Sequence, residues 1–535
     1  MIPFPLVLLA SPSPTPPAAL DWGALEARRA RIAEIRVEVQ EVFDLANPKE
    51  NTLLGRVADQ VHKATRERVI REALLFRVGD PVNARHIHET ERLLRSMVYL
   101  KEAEITPELL ADGSVRARVR VRDAWTLKFS IHYNLLGGQT TKGFGLQEQN
   151  LLGIGKTLAF NWVQDPVRTT ETFAYRDSQL LGSTWNLQTA YSSLSDGTAR
   201  SVNLQHPFQS LDTPWSATFQ ASTMASTYGL NDHGATIYAA HSVVDKGQLG
   251  AAWAAVRSGS AVWRPGLVYM DREARYGPLG IDSDPMGLPP PDLATRVLRG
   301  PGLTLGYLED GYGTWRNMAG VDAIEDYNLG WQWDLTAGSY LPALGASEAA
   351  PYLQADLSKG WSNSPDNLLL LSGSASGRRG PWGWEDLLAN LTLTGYWKET
   401  ANQITAAYLD LDRGCRADPE DIYYLGANEG LRGYPNFLHP GDTRWLLSLE
   451  QRALTEQRWL GIIRLGFVAL ADFGQIHRMD GTGWTSLYSD LGGGLRLGDL
   501  KSSLGRVILI TASVPVTQRN GQKGLQLTIN NVVHF

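Results

Sequence analysis

Alternation of apolar and polar residues over most of the chain constrains its fold more than any other feature. Trp125, Leu127, Phe129, Ile131, Tyr133 and Leu135 interleave with Thr126, Lys128, Ser130, His132 and Asn134. A period of two sends the two sets to opposite faces of a strand, and the run is close to the roughly 9–11 residues that a tilted membrane strand needs. One face then suits lipid and the other water. The pattern returns at Leu158, Phe160 and Trp162, at Trp185, Leu187 and Tyr191, from Tyr327 through Leu329, Trp331 and Trp333 to Leu335, and at Ile508, Ile510, Ala512 and Val514. A soluble sandwich also alternates, but it does not usually carry so many strands in one unit. Beyond the N-terminus no run of about 18 apolar residues exists, which excludes a helical membrane span, while a barrel is compatible with the mean hydropathy of -0.21. The 53 glycines and 17 tryptophans lean the same way.

Charge density divides the chain. Between Ala24 and Asp123, 36 of 100 residues are charged, against 69 of the 412 that follow, which places a boundary near Asp123. Residues 1–20 carry no charge and resemble a secretory signal without its basic start. Residues 31–123 read as a small mixed domain. Ile35, Val37 and Val39 alternate with Arg36, Glu38 and Gln40 in a strand; Thr65 caps a helix carrying Val69, Ile70, Ala73 and Leu74; Asn83 caps a second carrying Ile87, Leu94 and Met97. A strand from Val98 to Ile105, a turn at Asp112-Gly113 and a strand of valines alternating with Arg116, Arg118, Arg120 and Arg122 complete a β-α-α-β-β order. That arginine row reads as a solvated face. Residues 124–535 form the barrel, with Gly277 to Pro291 as a long surface loop.

Several chemistries are set aside. A net charge of -6 lacks the basic excess that phosphates attract, so nucleic acid is not an expected partner. Cys415, the single cysteine, makes neither an internal disulfide nor a thiolate metal cage. Gly153-Ile154-Gly155-Lys156-Thr157 imitates the end of a phosphate loop, but Asn150 holds the first glycine position and the segment enters a strand. His86 and His88, two apart on a helix, point to different sides and do not make a metal site with Glu89. No Gly-x-Ser-x-Gly elbow occurs, because Ala375 sits at its centre. No enzymatic activity, cofactor or metal is expected.

Leu431-Arg432-Gly433-Tyr434, then Gly441-Asp442, then Leu449-Glu450-Gln451-Arg452 form the most specific pattern in the chain. It resembles the barrel-loop signature of the POTRA-plus-barrel outer-membrane assembly family, the relatives of BamA and TamA, of bacterial surface antigen type. Phe76 to Asp80 with Glu91 to Leu94 resembles a POTRA domain, Asn150-Leu151-Leu152-Gly153 resembles the turn after the second barrel strand, and Asp472-Phe473-Gly474 resembles the acidic strand motif facing the arginine loop. Leu470 departs from that motif, where the family prefers phenylalanine or glycine. The end of the chain, with Val533 and Phe535, is similar to a terminal barrel-assembly signal.

The resemblance implies one POTRA domain in the periplasm of a Gram-negative bacterium and an antiparallel barrel of sixteen strands or more in its outer membrane. Five alternating segments follow the arginine loop, as sixteen requires, but about sixteen precede it where eleven are expected. Sixteen strands is the reading adopted. Arg432, carried into the lumen, needs a carboxylate, because an unpaired buried charge costs several kcal/mol; Asp472 or Glu450 is the expected acceptor. Gly433 allows close approach, Tyr434 fills the adjoining space and Gly474 belongs to the facing motif. The first and last strands, with Trp125, Leu127, Phe129 and Ile131 on one and Leu525 and Leu527 on the other, are the expected lateral seam. The implied function is insertion or translocation of extended outer-membrane client proteins, in contact with outer-membrane lipids and with periplasmic or inner-membrane accessory proteins. The alternative is a passive channel or surface antigen with the same fold.

Overall fold

The computed structural model describes residues 21–535 except 48–50, 52, 54, 57–61, 137–138, 284–286, 382, 504, 518–523 and 533–535. The expected signal segment and the terminal residues Val533 and Phe535 therefore lie outside the described residues. A helix at Trp22–Ala27 precedes a unit of strand Ile32–Gln40, helices Glu67–Glu72 and Ala84–Ser96, and strands Leu100–Leu109 and Val115–Asp123. Val115–Asp123 is the central strand, parallel to Ile32–Gln40 and antiparallel to Leu100–Leu109. Its odd-numbered residues are buried and its arginines lie half-exposed. Those arginines pair with Glu34 and Glu38 on one neighbour and Glu102, Glu104 and Glu108 on the other, so the row is neutralised across the sheet. Ile35, Val69, Ile70, Ile87, Leu94 and Val119 pack on the opposite face. Asn83 caps Ala84–Ser96 by accepting the His86 N–H at 3.1 Å.

Thr65 does not cap Glu67–Glu72. That position belongs to Arg66, and Thr65 instead receives the side-chain amide of Asn150 at 2.8 Å. A local capping signal is overridden because the hydroxyl is drawn into the junction with the second unit.

The rest of the chain closes into an antiparallel barrel of twenty strands, from Leu127–Leu136 to Gln526–Val532, with four pieces of two or three residues extending its hairpins. This corrects the expected sixteen. Fifteen strands precede the arginine loop and five follow it, so the sequence's own count of alternating segments lay closer than the count borrowed from the resemblance. One segment misleads: the run Tyr327 to Leu335 is a single alternation but two elements. Ile324–Asn328 pairs with Tyr312–Arg316 in a separate hairpin, and the wall strand begins only at Gln332. Gly330 makes the break possible, since a Cβ there would lie 2.1 Å from the Glu309 carbonyl oxygen.

Outward side chains such as Phe129, Ile131, Leu146, Phe173, Leu267, Leu303, Phe467 and Leu491 are exposed, an apolar surface that only lipid would cover. Exposed tryptophans gather at the rim that carries the N-terminal unit, here the near rim. Trp215 pairs with Trp253, Trp263 pairs with Tyr307 and Tyr307 with Trp333, while Trp361, Trp397 and Trp459 stand close to their strand ends. Amphipathic indoles at one level mark a membrane–water boundary. The early wall strands are 9 or 10 residues long, but His439–Trp459 has 21, so part of the wall rises beyond the hydrocarbon at the far rim.

Candidate functional site: the arginine loop, the lumen inserts and the seam

The arginine loop lies between Tyr423–Leu425 and His439–Trp459 and folds inward from the far rim. The tip of the hairpin Trp215–Asp232/Ala235–Trp253 bends over it, where the N–H groups of His233 and Gly234 donate to the Leu438 and Phe437 carbonyls at 2.9 and 3.0 Å. Arg432 then reaches both expected carboxylates. Its Nε and Nη2 donate to the two oxygens of Asp472 at 2.8 and 2.7 Å, Nη1 donates to Glu450 at 2.7 Å, and Nη2 also reaches the Ser448 hydroxyl at 2.7 Å. The fork toward Asp472 sets the orientation of the guanidinium as well as its charge balance.

The glycines of the motif are places of contact. A Cβ on Gly433 would lie 2.4 Å from that of Asp490, and one on Gly474 would lie 2.6 Å from a Leu446 methyl. Tyr434 is fully buried and donates to the carbonyls of Ser489 and Thr517, tying the loop to a third strand and the segment beyond a fourth. Leu470, the departure from the family pattern, packs toward Gly492, where a Cβ would lie 2.9 Å from a Leu470 methyl.

Two arginines extend this cluster toward the near rim. Arg452 donates to the second Glu450 oxygen at 2.9 Å, to the Tyr408 hydroxyl and to the Met318 carbonyl at 2.9 Å; Arg496 donates to the Ala319 carbonyl at 3.0 Å. Arg432, Arg452 and Arg496 thus gather around Glu450, with Asp472 as the second carboxylate of Arg432, while Asp490 is wholly buried beside Gly433 with neither oxygen hydrogen-bonded. Sequence reasoning quoted Arg452 without assigning it a role, although its spacing of two from Glu450 puts both on one strand face. Arg496 carries no such local signal.

Met318 and Ala319 belong to the hairpin Tyr312–Arg316/Ile324–Asn328, which enters the lumen from the near rim. Trp315 packs on the inward residues Leu368, Tyr396, Ile404 and Ala406, and Val321 packs on Leu454, Leu500 and Val507. The base of this hairpin meets the N-terminal unit. Arg95 forms a two-point pair with Asp326 at 2.8 and 2.9 Å, Arg92 approaches Asp310 at 3.4 Å, and Arg85 and His86 both reach Asp212. Burial works against the Asp212 carboxylate, but His86, Arg85 and Arg257 hold it below its ordinary value. The stripe Arg85, Glu89, Arg92, Arg95 has helical spacing, a local signal for this docking face that the metal-ligand reading of His86, His88 and Glu89 passes over. His88 is exposed and Glu89 is buried, accepting the Leu211 N–H at 3.1 Å.

A second contact surrounds His62, which bonds Asp123 at 2.8 Å while the Thr65 N–H donates to the same oxygen. The phosphate-loop imitation lies here and binds protein: Asn150 accepts the Gly155 N–H at 2.7 Å, and the Arg66 N–H donates to the Gly153 carbonyl at 2.9 Å. Gly153 has φ +73° and a Cβ there would lie 2.3 Å from the Ala64 oxygen. The turn Gln179-Leu180-Leu181-Gly182 repeats the backbone of Asn150-Leu151-Leu152-Gly153, with Leu181 and Leu152 both left-handed, and it too abuts the N-terminal unit.

At the seam the strands meet, with narrower ends than expected. The first strand runs Leu127–Leu136 and the last Gln526–Val532, so Trp125 and Leu525 stand outside them. Trp125 packs near Val42, Phe43 and Ile462, and its N–H donates to the Lys501 carbonyl at 2.8 Å; burial at the junction overrides the alternation that placed it in the strand. Among the described residues the two strands pair at Leu527↔Leu135, Thr528↔Asn134 and Ile529↔Tyr133. Leu127, Phe129 and Ile131 lie on the stretch of the first strand that has no partner from the last among the described residues. By contrast the last strand pairs with Val507–Pro515 from Gln526 to Val532, and the first pairs with Gln139–Glu148 along its whole length.

No family model and no curated protein matches this chain. Among solved structures it is similar to CdiB from Acinetobacter baumannii, at 13% identity over 94% of this chain and 74% of that one, with a TM-score of 0.45. CdiB from Escherichia coli gives 13%, 94%, 76% and 0.40 in the same order, and BamA from Haemophilus ducreyi lacking POTRA domains 1-3 gives 11%, 92%, 84% and 0.35.

Proposed function

We propose that this chain is an outer-membrane assembly or translocation factor that handles extended polypeptide clients and has no catalytic chemistry of its own. The observation that carries this reading is the junction of the first and last wall strands, joined by three pairs among the described residues. Unmade ladder bonds expose backbone donors and acceptors, which is costly in lipid, so the junction of the first and last strands, where the wall closes on segments far apart in the chain, is the natural place to admit another strand. A client's backbone would satisfy the edge of Leu127–Leu136, and its apolar alternation would meet the bilayer. The N-terminal unit, read as a POTRA domain in the periplasm, adds two edge strands, Ile32–Gln40 and Leu100–Leu109, suited to β-augmentation. Outer-membrane lipids around the apolar belt and periplasmic accessory proteins complete the expected partners. A passive channel is disfavoured by the lumen itself, which holds two inserts.

Closure of the seam tests this. With Cys415→Ser as background, Asn134→Cys and Thr528→Cys place thiols at a paired position, within the roughly 7 Å between Cα atoms that a disulfide allows. Oxidation should slow the appearance of heat-modifiable outer-membrane proteins in growing cells, and reduction should restore it. Equal assembly in both states would remove lateral opening as the mechanism.

A further inference from the structure

The hairpin Tyr312–Asn328 differs in character from the turns beside it. The connections at the same rim are short, such as residues 178–185 and 460–462, whereas residues 310–331 form a separate two-stranded sheet inside the lumen. Its tip is strongly buried: Met318 is 0% exposed and Val321 1%. Two glycines of the receiving wall make room for it, since a Cβ on Gly498 would lie 2.5 Å from that of Val321, and one on Gly505 would lie 2.7 Å from the Val321 nitrogen. Arg452 and Arg496, both almost fully buried, meet the tip through main-chain carbonyls. Carbonyl recognition does not depend on the side chains of the segment bound.

The other end of the hairpin is held by charges that belong to the N-terminal unit. Asp326 takes Arg95, Asp310 takes Arg92, and the Arg92 guanidinium lies 4.2 Å from the Tyr312 ring centroid. Between the helix Ala84–Ser96 that carries these arginines, the hairpin and the barrel wall remains a cavity of about 420 Å³, lined by Glu89, Phe208, Leu211, Arg264, Tyr312 and Tyr327 among others. Contact is thus dense at the tip and open at the base.

We propose that residues 312–328 are a removable plug, seated in a backbone-reading cradle of Arg452, Arg496, Gly498 and Gly505 and braced by Arg92 and Arg95 of the N-terminal unit. When the plug leaves, water or another carbonyl must take the place of its two carbonyls, because a guanidinium left without an acceptor is costly. An extended polypeptide segment offers the same carbonyls, so the cradle is also a site for such a segment. This use of the cradle rests on the assembly or translocation reading, but the plug itself does not, since it requires no opening of the seam.

Ion conductance of the full chain in planar lipid bilayers separates the two. Replacing residues 312–328 with a short Gly-Ser connection should raise conductance several-fold while heat-modifiable mobility still reports a closed barrel. A synthetic peptide of residues 312–328, added from the side of the N-terminal unit, should return conductance toward the original level, and Arg496→Gln should weaken that block. Unchanged conductance in the shortened chain, or no block by the peptide, would overturn the plug. Should the shortened chain fail to fold, Arg92→Ala with Arg95→Ala keeps the hairpin and removes only its brace. More frequent open events are then expected, and Arg95→Asp combined with Asp326→Arg should reduce them relative to Arg95→Asp alone. Conductance events identical to the parent in the unbraced form would count against the proposal.

Discussion

At the scale of single residues, the buried charges decide most. Arg432→Ala removes a cation that two carboxylates share, and breaking a buried pair from one side costs about 3–5 kcal/mol because the remaining charges stay desolvated. Loss of heat-modifiable mobility at lower temperature and faster protease cleavage of the arginine loop are the expected outcomes. Adding Asp472→Asn should cost less than its separate effect predicts, since the two act as one unit; additive penalties would argue against the pairing. His62 supplies a pH-dependent case outside the membrane. Burial pushes its imidazole down, but the bond and charge of Asp123, with Glu41 and Glu148 nearby, hold it above its ordinary value. Its contribution is therefore complete below that ordinary value and is lost as the pH climbs through the raised one. Protease cleavage at the junction should accelerate over that rise, and His62→Leu should cleave fast at both ends of it.

At the scale of elements, turns and inserts matter more than strand propensity. Gly153→Ala imposes a left-handed alanine whose Cβ meets the Ala64 oxygen at 2.3 Å, a change confined to the contact between the two units. It should expose residues near 64 to protease while the boiled and unboiled mobilities of the barrel stay as in the parent. Gly433→Ala instead drives a Cβ against Asp490, and overpacking of this kind costs about 1–3 kcal/mol. Its effect should be confined to the arginine loop, read as faster cleavage there with the junction unchanged. The β-α-α-β-β order was legible because helix caps and alternating runs are local signals. The hairpin was not, because Tyr327 to Leu335 alternates without regard to whether its two halves face the same solvent.

At the scale of the molecule, the apolar belt and the tryptophan-rich near rim predict that the chain fractionates with outer membranes and migrates differently when boiled. A soluble product, or one whose mobility ignores heating, would contradict the membrane reading. Twenty strands also leave a lumen wide enough to receive two inserts and the buried cluster of Arg432, Arg452 and Arg496 around Glu450 and Asp472. A barrel of about eight strands would fill with its own side chains.

Neighbours along the chain were enough for the strand faces, from the period of two, and for the order of the small N-terminal unit, whereas Arg432 and its acceptors Asp472 and Glu450 came with the resemblance of the loop motif. The sequence by itself could not determine how many segments join the wall, because barrel closure is a condition on all strands together and no single segment carries it. Nor could it assign Arg496, the Arg92 and Arg95 brace, or Thr65 drawn away from its helix to Asn150. Those pairings join residues 85 to 231 positions apart, and only the closed barrel brings their charges and hydrogen-bonding groups out of water together, where leaving any one unpaired is costly.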